Sequence, residues 1–295
     1  MRRKHNQARV VCVAACLTAL AALVFAASAS AKLTGEFTRF AQCPYTNPEV
    51  RKCIYSPTEG GEVVLGKKTV PITVPAVLQG GFAKPVSEFS KFFEPKNGIT
   101  LSKAAQSVPG GLAGIVPDAS SPFLVKALIK FFFENSLTGL NSTLELAKPA
   151  SEIKISENHL AEEEEVALKM PVKVHLENPF LGKNCYVGSS SAPIWWELTT
   201  GSTAPPKPNT SITGNGGELE LFEEGSVLRL KNVVLVDNAW SAPKASGCGG
   251  ILSFLVNPII DSQLGTTTAG NNTAILKNTI YVASASATKL NDETH

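Results

Sequence analysis

Alternation of apolar and polar side chains with period two dominates the second half of the chain. Val166, Leu168, Met170, Val172, Val174 and Leu176 alternate with mostly polar neighbours as far as Glu177. That pattern predicts a long strand with one buried and one wet face, as antiparallel sheets have. The same period returns in Leu144-Glu-Leu, in Ile153-Lys-Ile, over 218–222 and 227–237, and in a closing strand over 272–283. Upstream, residues 62–82 are rich in β-branched side chains and are interrupted at Gly66-Lys67-Lys68, the signature of a hairpin. Pro71 and Pro75 place that segment at a sheet edge. Residues 177–201 read as strand, tight turn, strand. Because adjacent strand residues face opposite ways, one of Trp195 and Trp196 is expected in the core and the other outside.

The period changes between residues 83 and 140. Val86, Phe89, Phe92 and Phe93 are spaced as on a helix that ends before Pro95. Ser121 as N-cap and Pro122 in the first turn open a second helix, to about Asn135. Lys126, Lys130 and Glu134 form its one polar stripe, and almost everything else on it is apolar. Such a helix is buried, or it meets a partner or a lipid surface. Phe123, Leu124, Leu128, Phe131 and Phe132 are its candidate ligand-binding residues. Elsewhere, 202–217 reads as an exposed loop, the glutamates at 162–165 as a solvated turn, and 284–295 as a polar tail. Residues 251–264 read as a short helix broken or kinked at Asn257-Pro258. Together these elements predict a mainly β fold, an antiparallel, sandwich-like domain over 32–295 with a small helical insertion at about 83–140.

The first 31 residues change how the composition is read. Arg2, Arg3, Lys4 and Arg9 precede an apolar run from Val10 to Ala27, and Ala29-Ser30-Ala31 supplies the small residues of a cleavage site. A signal peptide cut near Ala31 is expected, and with it a secreted or cell-envelope location. Val13-Ala14-Ala15-Cys16 resembles a lipidation box, but most of the apolar run follows the cysteine. Removing the signal leaves 23 basic against 25 acidic residues, so the basic excess of the whole chain does not point to nucleic acid. No membrane span is expected in the mature chain.

Cys43, Cys53, Cys185 and Cys248 remain after cleavage, an even number suited to an oxidising compartment. Sequence proximity favours Cys43–Cys53, which leaves Cys185–Cys248. In the chain-entropy view the short loop adds about 3 kcal/mol and the long one about 4 kcal/mol. A four-thiolate metal site is the rival reading, but the Cys-x-x-Cys spacing is missing. Catalytic motifs are also missing: there is no Gly-x-Ser-x-Gly elbow, His-Glu-x-x-His, P-loop or Gly-x-Gly-x-x-Gly. The mature chain has only His159, His175 and His295 as histidines, and Asp118, Asp237, Asp261 and Asp292 as aspartates. His175 reads as a solvent-facing strand residue, and His159 beside the glutamates could at most hold a metal weakly at the surface. No cofactor or resident metal is expected.

The segment from Asn178 through Cys185 to Ser189, continuing through Pro193-Ile194 to Leu198-Thr-Thr-Gly201, resembles a pattern in uncharacterised secreted proteins of high-GC Gram-positive bacteria. Gly247-Cys-Gly-Gly and Asn272-Thr-Ala-Ile-Leu fit the same group. The resemblance implies export and no particular activity. Two functions stay open: a non-enzymatic structural or binding protein that meets envelope components, and a carrier or sensor of a hydrophobic, lipid-like ligand that uses the Phe-rich insertion.

Overall fold

The computed structural model describes residues 32–85, 87–112, 139–163, 165–265 and 271–295. Among these residues fourteen antiparallel strands make one sheet. In chain order they are β1 (Lys52–Leu65), β2 (Lys68–Pro71), β3 (Ala76–Phe82), β4 (Ser90–Phe93), β5 (Ala105–Ser107), β6 (Asn141–Leu146) and β7 (Lys154–Ile155), then β8 (Val166–Glu177), β9 (Tyr186–Val187), β10 (Ile194–Thr199), β11 (Glu218–Phe222), β12 (Val227–Asp237), β13 (Ala245–Ser246) and β14 (Asn272–Ser284). Among the described residues three α-helices accompany them: α1 (Glu157–Glu162), α2 (Ser253–Leu264) and α3 (Ala285–Thr294).

The sheet closes on itself. Pairings run β1–β3–β4–β7–β8 in one direction and β1–β14–β12–β10 in the other, and β10 also pairs with β8. Eight strands thus form a ring whose two long walls, β8 with its neighbours and β1 with β14 and β12, face each other as sandwich layers would. Curvature is built in at Asn278 of β14. Across from it, β1 carries a bulge between Thr58 and Gly60, and β12 carries another between Leu230 and Val233. Bulges on both flanking strands at one level bend a sheet sharply. Gly61 (φ 103°) is part of the bend, because a Cβ there would overlap the Ile275 carbonyl oxygen. Asn278 itself is buried. Its Oδ1 accepts from Thr58 Oγ1 at 2.7 Å and its Nδ2 donates to the Leu276 carbonyl at 2.9 Å.

The joints of the ring are uneven. β1 and β14 share eleven paired positions, whereas β10 meets β12 only at Thr199–Val236. At that weak joint the buried Asp237 carboxylate accepts from the backbone N–H of Glu197 at 2.7 Å and of Ala239 at 2.9 Å. A second side chain joins β5 to the β2–β3 connection. The Gln106 amide oxygen accepts from the N–H of Thr73 (2.8 Å) and Val74 (3.0 Å), and its nitrogen donates to the Val74 carbonyl at 2.7 Å. In both places a side chain pairs backbone groups that no strand reaches.

Both expected disulfides are present, Cys43–Cys53 and Cys185–Cys248. The first lies in a small cluster on the outer face of β1 and β14, with Phe37, Phe40 and Tyr281. The predicted hairpin at Gly66–Lys68 and the strands over 166–177, 218–222 and 227–237 are where the hydrophobic period placed them.

Several expectations need correction. The helical spacing over 86–93 ends instead in strand β4, in which Ser90 and Phe92 turn inward and Phe92 pairs with Phe82. A neighbouring strand with unpaired backbone overrides the local period. The described residues of 83–140 therefore carry β4 and β5 of the common sheet. The helix expected over 121–135 lies outside the described residues, and Phe123, Leu124, Leu128, Phe131 and Phe132 with it. The glutamate turn is preceded by α1, capped by Ser156, whose Oγ accepts from the His159 N–H, and ended by Glu163 (φ 58°). Helix α2 continues through Pro258, held on either side by buried Val256 and Ile260. The tail forms α3 directly after β14. It buries Thr288, and Asn291 pairs with Thr34 of the N-terminal segment through two hydrogen bonds.

Replacing Gln106 with Met, which keeps the volume and removes the amide, should cost about 2 kcal/mol, because its three hydrogen bonds to the backbone of Thr73 and Val74, each with a net contribution of roughly 0.5–1.5 kcal/mol, are lost. Urea denaturation followed by circular dichroism measures it. A loss below roughly 0.5 kcal/mol, the level of ordinary surface substitutions, would show that the joint does not depend on this side chain.

Candidate functional site

Between the two walls lies an apolar cavity. Its volume is about 110 Å³. By the same measure a single water needs about 10–15 Å³, so this is room for a group of waters or a small apolar molecule. The inward residues of β8, Leu168, Met170, Val174 and Leu176, make one wall. Val63 and Leu65 of β1, Val70 of β2 and Leu276 of β14 face them. Trp196 of β10 and Leu264 of α2 also contribute. The lining follows from strand geometry: the residues that alternate inward in the sequence are the ones that meet here.

Few polar groups line the space, and most are occupied. Gln106 and the Thr58–Asn278 pair are taken up by the contacts described above. Trp196 is buried, packs edge-on against Trp240 with ring centroids 6.1 Å apart, and has an indole N–H without a hydrogen-bond partner. Lys68, half-buried, shares the inward face of β2 with Val70.

The tryptophan pair divides as expected, with Trp196 1% and Trp195 42% exposed. Trp195, Glu197 and Asp237 border a shallow cleft on the outer side. Burial chiefly pushes the Asp237 carboxyl above the usual carboxylate range, while its two backbone hydrogen bonds oppose the shift. Both Asp237 oxygens are engaged in those bonds, which leaves this carboxylate a fixture of the fold.

His159 meets Glu88 (Nδ1–Oε1 3.6 Å) and Glu165 (Nε2–Oε2 3.8 Å) at the surface. Its Nδ1 lies 2.9 Å from the Val166 carbonyl, which makes that nitrogen a donor and unfit for a metal. His175 stacks on Tyr186 with centroids 4.5 Å apart and lies on the outer face of β8. There Glu145 gathers Lys103 (3.0 Å), Lys173 (3.3 Å) and His175 (4.0 Å). Burial pushes the Glu145 carboxyl up, but the hydrogen bonds from Lys103 and Lys173 outweigh it and hold the group below its ordinary 4.5.

The β8 part of the lining was readable as the inward half of its alternation, whereas the part from Leu101 to Leu140 fell in the stretch expected to be a helical insertion. What sequence reasoning missed is that the two walls do not meet. Spacing gives no signal for that, since it depends on the bulges at Asn278 and on closure of the ring. No family model, curated protein or solved structure matches the chain.

Glu145 leads to a pH test. A depressed native pKa gives stabilisation that is complete above the ordinary glutamate value and fades as pH falls through the native one. Urea midpoints at about pH 6 and pH 3.5 should therefore drop less in Glu145→Gln than in the wild type. Parallel drops would mean that the ion cluster does not contribute.

Proposed function

We propose that the protein is an exported, non-enzymatic carrier or sensor that holds an apolar, lipid-like ligand inside its β ring. The cavity carries this reading. Apolar walls grip water poorly, and a space of this size left empty forfeits the dispersion contacts of every residue around it. Rings of about eight strands are wide enough either to be filled by their own side chains or to hold one small ligand, and here the side chains leave room. Export rests on the features of the first 31 residues and is supported by the two disulfides, which persist in oxidising compartments. Among the described residues no helix is long and apolar enough to cross a membrane. The reading stands on the described lining residues and does not use the Phe-rich segment.

Ala104 is buried and lines the cavity, so Ala104→Trp places a large ring in the open space. Titration with cis-parinaric acid, which fluoresces on entering an apolar site, should saturate with the wild type and lose at least about tenfold in affinity, a loss of 1.4 kcal/mol, in the variant. Thermal unfolding of the variant should be unchanged or raised, since filling a void restores contacts. Equal binding by both proteins would contradict the proposal.

A further inference from the structure

Resting on that reading, we infer that the ligand is a single-tailed amphiphile with an anionic head, and that Lys68 receives the head at the cavity rim. The argument begins with the lysines of the sheet. Five described strand lysines are half-buried: Lys52, Lys68, Lys169, Lys173 and Lys231. Four have a carboxylate partner: Lys52 with Glu157 at 2.6 Å, Lys169 with Glu197 at 3.2 Å, Lys173 with Glu145 at 3.3 Å and Lys231 with Glu220 at 2.6 Å. Those four lie away from the cavity lining. Lys68 is the one that lines the cavity, and among the described residues no carboxylate pairs with it.

The rest of the lining agrees in sign. None of the described lining residues is Asp or Glu, so an anion entering the space meets no repelling charge. The amides of Gln106 and Asn278 are committed to protein partners. Beyond the hydroxyls of Ser56 and Ser142, one polar group remains among the described lining residues, the Lys68 ammonium. It donates and cannot accept a hydrogen bond. A cavity with a cationic donor selects a ligand that brings acceptors. Most of the remaining lining is apolar, which fits hydrocarbon for the rest of the ligand. A carboxylate or phosphate head on one alkyl tail has this chemistry.

The stem of Lys68 matches the role. A lysine on an inward strand face lays its methylenes along apolar surface and carries the charge outward. The hairpin Leu65–Lys68 sets that stem, and Gly66 N–H donates to Asn272 Oδ1 at 2.9 Å, which anchors the turn to β14.

Three probes of equal tail length separate the possibilities: dodecanoate, dodecyl phosphate and dodecanol, each titrated by calorimetry against the wild type, Lys68→Met and Lys68→Arg. The wild type should bind at least one of the two anions about tenfold more tightly than the alcohol, as one charge-assisted hydrogen bond gives. Whichever anion is preferred identifies the head as carboxylate, phosphate or either. Lys68→Met should abolish the preference while leaving dodecanol affinity unchanged, Lys68→Arg should retain it, and 0.5 M NaCl should weaken it only where the charge is present. Circular dichroism checks that each variant is folded, and retention in the arginine variant reads the charge even if the methionine variant is unstable. Equal affinity for alcohol and anions in the wild type, or a preference that survives Lys68→Met, overturns the assignment of the head and leaves the apolar-ligand reading standing. Binding of none of the three probes overturns that reading itself.

Discussion

A β sheet that closes must pair its backbone all the way round, and this one runs short of strand at its joints. Where β10 meets β12 the ladder contributes one paired position, and the β2–β3 connection has no strand opposite it. A hydrogen bond made at those points contributes a net of roughly 0.5–1.5 kcal/mol. Asp237 and Gln106 supply the missing partners from side chains. The burial of both residues and the raised pKa of Asp237 follow from that duty.

Closure under these conditions also explains why the interior stays open. The bulges opposite Asn278 bend both flanking strands at one level, so the β1–β14–β12 wall curves around the space and does not lie flat on β8. Large inward residues fill the ends, with Trp196 against Trp240 on one side and Phe82 and Phe92 on another. Between them Val63, Val70, Leu144 and Val174 are too short to bridge the gap. The Cys43–Cys53 disulfide, the three-lysine-and-glutamate pairings and the Glu145 cluster all sit outside this chamber. Among the described residues the ion pairs thus sit on the outer face, and Lys68 is the one charged side chain that lines the chamber.

Much of this could be read from the residues. Period-two alternation located β8, β12 and β14 because each has one face in the chamber and one in water, and β8 is the clearest case; most of β1, in a stretch with Pro57 and Gly60-Gly61, was not located that way. The disulfide partners followed from proximity, and the division between Trp195 and Trp196 from the pleat. Three features resisted for physical reasons. The stretch leading into β4 has a helix-like period, and its strand state is set by Phe82 and Gly81 on a neighbour. Helix α3 carries no apolar stripe; it is held by the bonds of Asn291 to Thr34, far away in sequence. The chamber itself depends on distances between walls, which no spacing along a chain encodes. The place proposed for ligand binding therefore moved from the Phe-rich segment to the strand interior.

The central claim is that a hydrocarbon tail occupies the space between the walls. Methyl-labelled protein titrated with a doxyl-stearate spin label, with methyl line widths recorded by NMR, tests it most directly. The account predicts broadening at Met170, Leu144, Val174 and Leu276, relieved by excess unlabelled stearate. Broadening confined to the exposed Ile251, Leu219 and Leu221, with the interior methyls unaffected, would contradict it.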